Sequence, residues 1–420
     1  MKRNWFTYRS PEDIRRDADK NGVHLPLAET AGALWEKLSF GKTTLRNRIG
    51  IAPMEGMDSL PSGAPSGLTF RRYRRFARGG AGLIWLEATA PSPAGRSHGK
   101  QLMLTEETLG EFQKLAAAMR EEGLKANGYA PYLVIQAHVA GRMAEGRPVV
   151  GRFFPEKDKN LRGFTGRLAG DDELKKTEEE LGEFAGLAKK AGFDAVEIKC
   201  CHGYLLGELL SAYERPGPYG GSFENRTRLF RNAVKAAKVY EDERYLVTAR
   251  LGIYDGVPRP YGFGAAPDGG TEPDMEEPIR LVRLLREEGM PFLNLSLGLT
   301  LAAAAEENPL LALARIADLT GRVKKAVPDV CVSGTAFSYF RQFAGLHAAG
   351  CLEEGVCDHA LFGRMAFADP DFPLELRDTG RIDPEKTCLA CGGCGRLIGA
   401  KRPTGCVVRD REVYPAAEKA

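Results

Sequence analysis

The sequence predicts an α/β fold, a (β/α)8 barrel followed by a short four-cysteine module. Three observations carry that expectation. Eight short apolar runs recur along the chain, segments of helical spacing separate most of them, and four cysteines crowd together after the eighth run. A length of 420 residues exceeds one ordinary domain but suits a large barrel with an appendage.

The predicted strands are 48–54, 82–88, 132–137, 194–200, 246–252, 292–298, 330–335 and 359–365. Most residues in them are apolar, as strands of a parallel sheet covered by helices must be. Helical periodicity fills 106–122, 177–191, 225–240, 275–288 and 309–327. Strand then helix, repeated eight times, is the TIM-barrel pattern; a doubly wound open sheet is the alternative, because strand count does not prove closure. Long loops rich in Gly, Pro and charge follow the third strand (141–172) and the fifth (254–274). They are read equally as walls of an active site and as surface insertions.

Composition narrows the class. Lys+Arg total 59 against Asp+Glu 56, a net charge of +3, where a nucleic-acid binder is expected to be more lopsided. The basic run Arg71, Arg72, Arg74, Arg75 and Arg78 is therefore read as a solvated helix face. No apolar run reaches the length of a membrane span, and the first residues lack the apolar stretch of a signal peptide, so a cytoplasmic location is expected.

Barrel chemistry sits beyond the C-terminal strand ends. Polar residues collect there: Gln136 at the end of strand three, Lys199 and His202 at strand four, Arg250 at strand five. Strands seven and eight end in Ser333-Gly334-Thr335 and Gly363-Arg364, where barrels often hold a phosphate. Lys199 has a structural alternative, a salt bridge to Glu197 on the same strand face. Cys200 and Cys201 are expected to be packed hydrophobes.

The spacing Cys388-x2-Cys391-x2-Cys394-x11-Cys406 gathers four thiols within 19 residues. In a large chain of this composition such a crowd signals metal or redox chemistry before disulfides. A [4Fe–4S] cluster suits three closely spaced cysteines and a distant fourth, and a four-cysteine zinc site is the structural alternative.

Several stretches resemble the Old Yellow Enzyme family of FMN-dependent reductases, in the branch of 2,4-dienoyl-CoA reductase and trimethylamine dehydrogenase. They are LSFGKTTLRNRIGIAPMEG (38–56), RRYRRFARGGAGLIWLEATAPSPAGR (71–96), AKKAGFDAVEIKCCHGYLLGELLSAYERPGPYGGSFENRTR (188–228) and FGRMAFADPDFP (362–373). The likeness runs from about Leu38 to Pro415 and divides the chain into an N-terminal extension (1–37), an FMN-binding barrel (38–375) and a [4Fe–4S] segment (376–420). It implies bound FMN, with Ala52, Met54 and Ala88 beside the ring system and Gln136 on its pyrimidine edge. It places Arg250 near the atoms that gain negative charge on reduction, and Gly334, Thr335, Gly363 and Arg364 on the phosphate. Tyr204 matches the family's proton donor, with Lys199 and His202 anchoring the substrate oxygen. The branch also carries a similar cysteine cluster directly after its barrel.

The implied function is an ene-reductase type oxidoreductase acting on the C=C bond of an α,β-unsaturated carbonyl, enoate or thioester. An amine dehydrogenase-like demethylase is disfavoured, because Lys199 would repel an alkylammonium. An electron-transfer or structural module with zinc is the reading from another class. Three departures from the family stand out: Glu55 in place of a Thr or Cys, His138 displaced by one position, and the Lys199-x-x-His202 pair. No G-x-G-x-x-G occurs between strand and helix, and the chain ends fourteen residues after Cys406. A separate flavoprotein or ferredoxin is therefore expected to dock near 388–406 and feed the cluster, with direct reduction by NAD(P)H as the competitor. No nucleic acid or membrane partner is expected, and a homo-oligomer is compatible with the sequence.

Overall fold

The computed structural model describes residues 6–145, 149–154, 166–298 and 308–416. Eight parallel strands form a closed ring: β1 (Ile49–Ile51), β2 (Leu83–Ala90), β3 (Tyr132–Ala137), β4 (Ala195–Cys200), β5 (Leu246–Gly252), β6 (Phe292–Ser296), β7 (Cys331–Gly334) and β8 (His359–Phe362). β8 pairs with β1 and β1 with β2, so the sheet closes and the open-sheet alternative falls away. The strand interiors are buried on both faces because helices cover the outside and side chains fill the inside.

The helices that pack outside the ring are α1 (Gly67–Arg78), α2 (Leu109–Asn127), α3 (Asp171–Lys190), α4 (Arg228–Lys238), α5 (Glu276–Glu287), α6 (Pro309–Ala326), α7 (Ala344–Glu353) and α8 (Phe372–Thr379). Two of them start on a side-chain cap: Ser66 accepts from Leu68 and Thr69 N–H at α1, and Asn308 accepts from Leu311 N–H at α6. Among the described residues, no helix is long and apolar enough to cross a membrane.

Three expectations about elements change. The first strand stops at Ile51, and the eighth stops at Phe362 because Arg364 begins a short helix to Ala368. The loop after β3 is shorter than expected, since α3 starts at Asp171; its residues 146–148 and 155–165 lie outside the described ones. The loops after β3 and β5 meet: Phe154 stacks on Tyr261 at 4.6 Å, with the Arg152 guanidinium 4.9 Å from the Phe154 ring. Residues of the N-terminal segment join the barrel core through buried Ile14, Leu25 and Leu34.

The basic run on α1 is a solvated face only in part: Arg74 and Arg78 are exposed, whereas Arg72 is buried and Arg71 and Arg75 are engaged by a carboxylate. Arg72 is 3% exposed and clamps two buried carboxylates, Asp58 and Glu87. Arg71 and Arg75 both reach Asp410, at 2.7 and 2.8 Å, near the chain's C-terminal end. The physical reason is that α1 faces three carboxylates, Asp58 and Glu87 near it in sequence and Asp410 more than 330 residues away. Asp410, together with the Thr404 N–H that donates to Gly56 C=O at 2.8 Å, pins the cysteine segment against the mouth of the barrel.

Candidate active site

A cavity of ≈ 230 Å3 opens at the C-terminal ends of β1 and β5–β8. Its wall includes Ala52 and Met54 after β1, His202 after β4, Arg250 on β5, Ser296 on β6, Thr335 after β7, and Gly363 with Arg364 after β8. Six residues expected at a cofactor, Ala52, Met54, Arg250, Thr335, Gly363 and Arg364, are therefore brought together. Gly334 is one position behind the wall, where an added Cβ would stand 2.7 Å from Cys357 Sγ and 2.8 Å from Phe337; only glycine permits that packing. Ala336, which lines the cavity, adopts φ 72°, a left-handed conformation that costs a non-glycine residue roughly 1 kcal/mol.

The two arginines decide what this cavity suits. Arg250 Nε is buried without a hydrogen-bond partner, and a buried donor left unpaired costs about 1–3 kcal/mol. Among the described residues Arg250 makes no ion pair within 4.0 Å, although its charge acts on the buried Glu197. Arg364 lies over the Tyr339 ring at 3.9 Å and likewise has no carboxylate within 4.0 Å among the described residues. Two fixed cations at opposite sides of the strand sequence β5–β8 fit a long anionic cofactor with a polar, charge-accepting ring.

Gln136 and Ala88 are not in this wall. Gln136 donates from Nε2 to Glu197 Oε1 at 2.6 Å, deep in the barrel. Glu197 also accepts from Trp85 Nε1 and Asn294 Nδ2, each at 2.8 Å, and burial raises its pKa against the pull of Arg250 and these donors. Glu197 is thereby committed to neutral donors, and its expected alternative, a salt bridge with Lys199, does not form within 4.0 Å. Cys200 and Cys201 are buried free thiols, as packed hydrophobes are.

Lys199 instead stands over the Tyr204 ring, Nζ 4.0 Å from the centroid. Burial, seconded by Arg250, pulls the Lys199 ammonium down to about 8. Tyr204 also meets the edge of His138, centroids 4.3 Å apart, and burial raises its pKa. His138 Nε2 lies 3.0 Å from Ser97 Oγ. His202 faces the cofactor cavity, and its Nε2 is 2.6 Å from Ser296 Oγ. Burial, with Arg250 and Lys199 nearby, keeps His202 neutral. Sequence reasoning missed Ser296 and Tyr339, although the polar end of the apolar run FLNLS was a usable signal for the first.

The four cysteines surround a second, smaller pocket, whose wall also contains Arg364. Cys388 is buried, Cys391 exposed, and Cys394 and Cys406 are half-buried. Ala390 N–H donates to Cys388 Sγ at 3.4 Å and Arg409 N–H to Cys406 Sγ at 3.3 Å. Among the described residues no three His, Cys, Asp or Glu side chains are set to hold one metal ion. Arg364 is thus shared between the two cavities.

The model of the "NADH:flavin oxidoreductase / NADH oxidase family" matches residues 33–263. An NADPH dehydrogenase of Bacillus pumilus is 30% identical over 351 residues, covering 81% of this chain and 93% of that protein. An NADH oxidase of Thermoanaerobacter brockii is 29% identical over 386 residues, covering 87% of this chain; the chain spans 54% of that relative's length. Among solved structures, a 2-naphthoyl-CoA reductase in complex with 2-naphthoyl-CoA shares the fold at a TM-score of 0.76 and 22% identity, over 92% of this chain and 58% of that one. The matched segment holds β1 to β5 with Arg250, and the chain belongs to the NADH:flavin oxidoreductase / NADH oxidase family, the family of the Old Yellow Enzyme.

Proposed function

We propose that this chain is an FMN-dependent reductase of the ene-reductase type, acting on an activated C=C bond and supplied with electrons through a [4Fe–4S] cluster held by residues 376–420. The observation that carries the reading is the cavity with two arginines that no carboxylate pairs within 4.0 Å among the described residues, one of which also walls the four-cysteine pocket. Bound FMN would supply hydride to the β-carbon of an enone, enoate or thioester. Arg250 would stabilise negative charge on the ring, and Thr335, Gly363 and Arg364 would hold the phosphate.

On the substrate side, Tyr204 is the proton donor for the α-carbon, and Lys199 the cation for developing charge on the carbonyl oxygen. His202, neutral and bonded to Ser296, supports that oxygen with a hydrogen bond. Ala88 and Gln136 belong to the floor under the ring, with Gln136 oriented by Glu197. Cys388, Cys391, Cys394 and Cys406 would ligate the cluster. Thiolates on one tetrahedral zinc stand roughly 3.8 Å apart, from Zn–S ≈ 2.3 Å. The spacing of three close cysteines and a distant fourth around one pocket favours a [4Fe–4S] cluster over zinc.

An anaerobic screen of enoates, enones, dienoyl thioesters and steroids, with dithionite-reduced viologen as donor, tests the activity. Reduction of at least one class, absent from FMN-free protein, is the expected result; no turnover of any class would argue for the electron-transfer or structural alternative. A separate flavoprotein or ferredoxin is the proposed donor. Stopped-flow mixing with NADH and NADPH checks it, since fast flavin reduction without another protein would assign the donor role to NAD(P)H.

A further inference from the structure

We propose that Arg364 sets the reduction potential of the cluster: the guanidinium that faces the phosphate end of the FMN cavity also stabilises the negative charge that an electron adds among the four cysteines. This rests on the proposed [4Fe–4S] cluster.

Arg364 opens the short helix Arg364–Ala368 directly after β8. It walls both the cavity proposed for FMN and the pocket of Cys388, Cys391, Cys394 and Cys406. The helix is tied to both sides. Met365 N–H donates to Ser338 Oγ at 3.1 Å, and Ser338 lines the FMN cavity. On the other side Thr387 Oγ1, one residue before Cys388, donates to Met365 Sδ at 3.4 Å, and Phe367 joins the cysteine wall. Tyr339, a further residue of the FMN cavity, has the guanidinium 3.9 Å from its ring centroid. Arg364 is therefore fixed between the two sites by contacts to each.

A fixed cation beside a redox centre favours the state that holds more electrons, and it acts most strongly where water does not screen it. Arg364 is half-buried, and no carboxylate pairs it within 4.0 Å among the described residues. Arg409, the other cation of the cysteine wall, is exposed, and its N–H groups donate to the Thr387 and Pro384 C=O, each at 3.4 Å. Arg341, whose charge also reaches Cys388 and Cys391, lies outside both walls. The cysteines already register Arg364. Burial pushes the Cys388 thiol up to about 12 and raises that of Cys394, and Arg364 is the strongest of the charges that oppose it at both. In the redox step one electron passes from a reduced mediator to the cluster; the mediator is oxidised, and no bond forms or breaks.

The test is a redox titration of the purified protein in excess FMN, followed by the cluster's electron paramagnetic resonance signal. It compares wild type with Arg364→Met, Arg364→Lys and Arg250→Met. At one applied potential, Arg364→Met should hold a reduced-to-oxidised cluster ratio about tenfold below wild type, a midpoint lower by about 59 mV. Arg364→Lys should stay within about threefold of wild type, because it keeps the charge while losing the fork that grips a phosphate. Arg250 walls the FMN cavity and not the cysteine pocket, so Arg250→Met should stay within about twofold. Released FMN cannot imitate the result, since losing the phosphate's negative charge would raise the midpoint. If Arg364→Met assembles no cluster, Arg364→Gln carries the same expectation. A midpoint unchanged in the iron-loaded Arg364→Met or Arg364→Gln protein overturns the role, and so does an equal drop in Arg250→Met. Wild-type protein without iron would instead sink the cluster reading itself.

Discussion

The two ends of the barrel mouth solve opposite problems. Toward β5–β8, Arg250 and Arg364 present guanidinium charges that no protein carboxylate pairs within 4.0 Å among the described residues. Toward β2–β4, Glu55, Lys199, His138 and Tyr204 are enclosed together, and burial moves each pKa in the direction that removes charge. Permanent cations suit holding a cofactor of permanent charge. Groups drawn toward neutrality suit passing protons. Under the proposed function, the first half binds the cofactor and the second half carries the chemistry.

The largest expected break of this contrast is Tyr204→Phe. It should slow reoxidation of reduced flavin by substrate by about 10²–10⁴-fold while flavin reduction by an artificial donor stays at the wild-type rate, as rapid mixing of each half-reaction will show. Equal slowing of both halves would make Tyr204 structural. Next in size is Arg364→Ala. Losing charge-assisted bonds worth about 1.5–3 kcal/mol should weaken FMN binding about 10- to 100-fold, read by flavin content and by titration of the apoprotein. Full retention would reduce the Gly363-Arg364 turn to a plain turn.

Lys199→Met should be smaller and selective: about tenfold for an anionic acceptor and less for a neutral enone. The sign of its pH dependence follows from a pKa lowered to about 8. The ammonium, and its advantage for anions, is present below that pH and lost as pH rises through it. Measuring KM for both acceptors from pH 6 to 10 tests this, and parallel losses would remove the charge argument. The smallest effect is expected at Asp410→Ala. It removes the ion pairs with Arg71 and Arg75, which are about one-third exposed, so the change in stability should stay below about 1 kcal/mol. Faster limited proteolysis of the cysteine segment, with an unchanged barrel core, is the expected readout.

The sequence made the barrel legible because each strand announces itself locally, as a short apolar run with polar ends. β3 and β5 occupy their expected residues, Tyr132–Ala137 and Leu246–Gly252. The limits of β1 and β8 differ from the expected ones, since Pro53 lacks an N–H for the ladder and Gly363 turns the chain into a helix, local signals that the apolar runs overrode. The same divide runs through the site. Arg250, Thr335, Gly363 and Arg364 were readable as strand-end residues. The Arg72–Asp58–Glu87 clamp and the Arg71–Asp410 pair were not, because one partner lies up to 339 residues from the other. Glu55 was visible in sequence as an anomaly; its enclosure by Glu87, Gln101 and Lys199 exists only in the folded barrel.

The most direct measurement is the spectrum and metal content of protein purified without oxygen. The account predicts one FMN and four irons per chain: flavin absorbance in the blue on a broad shoulder that dithionite bleaches, and a reduced-cluster signal in electron paramagnetic resonance that Cys388→Ser abolishes. Colourless protein carrying one zinc and no flavin would contradict it.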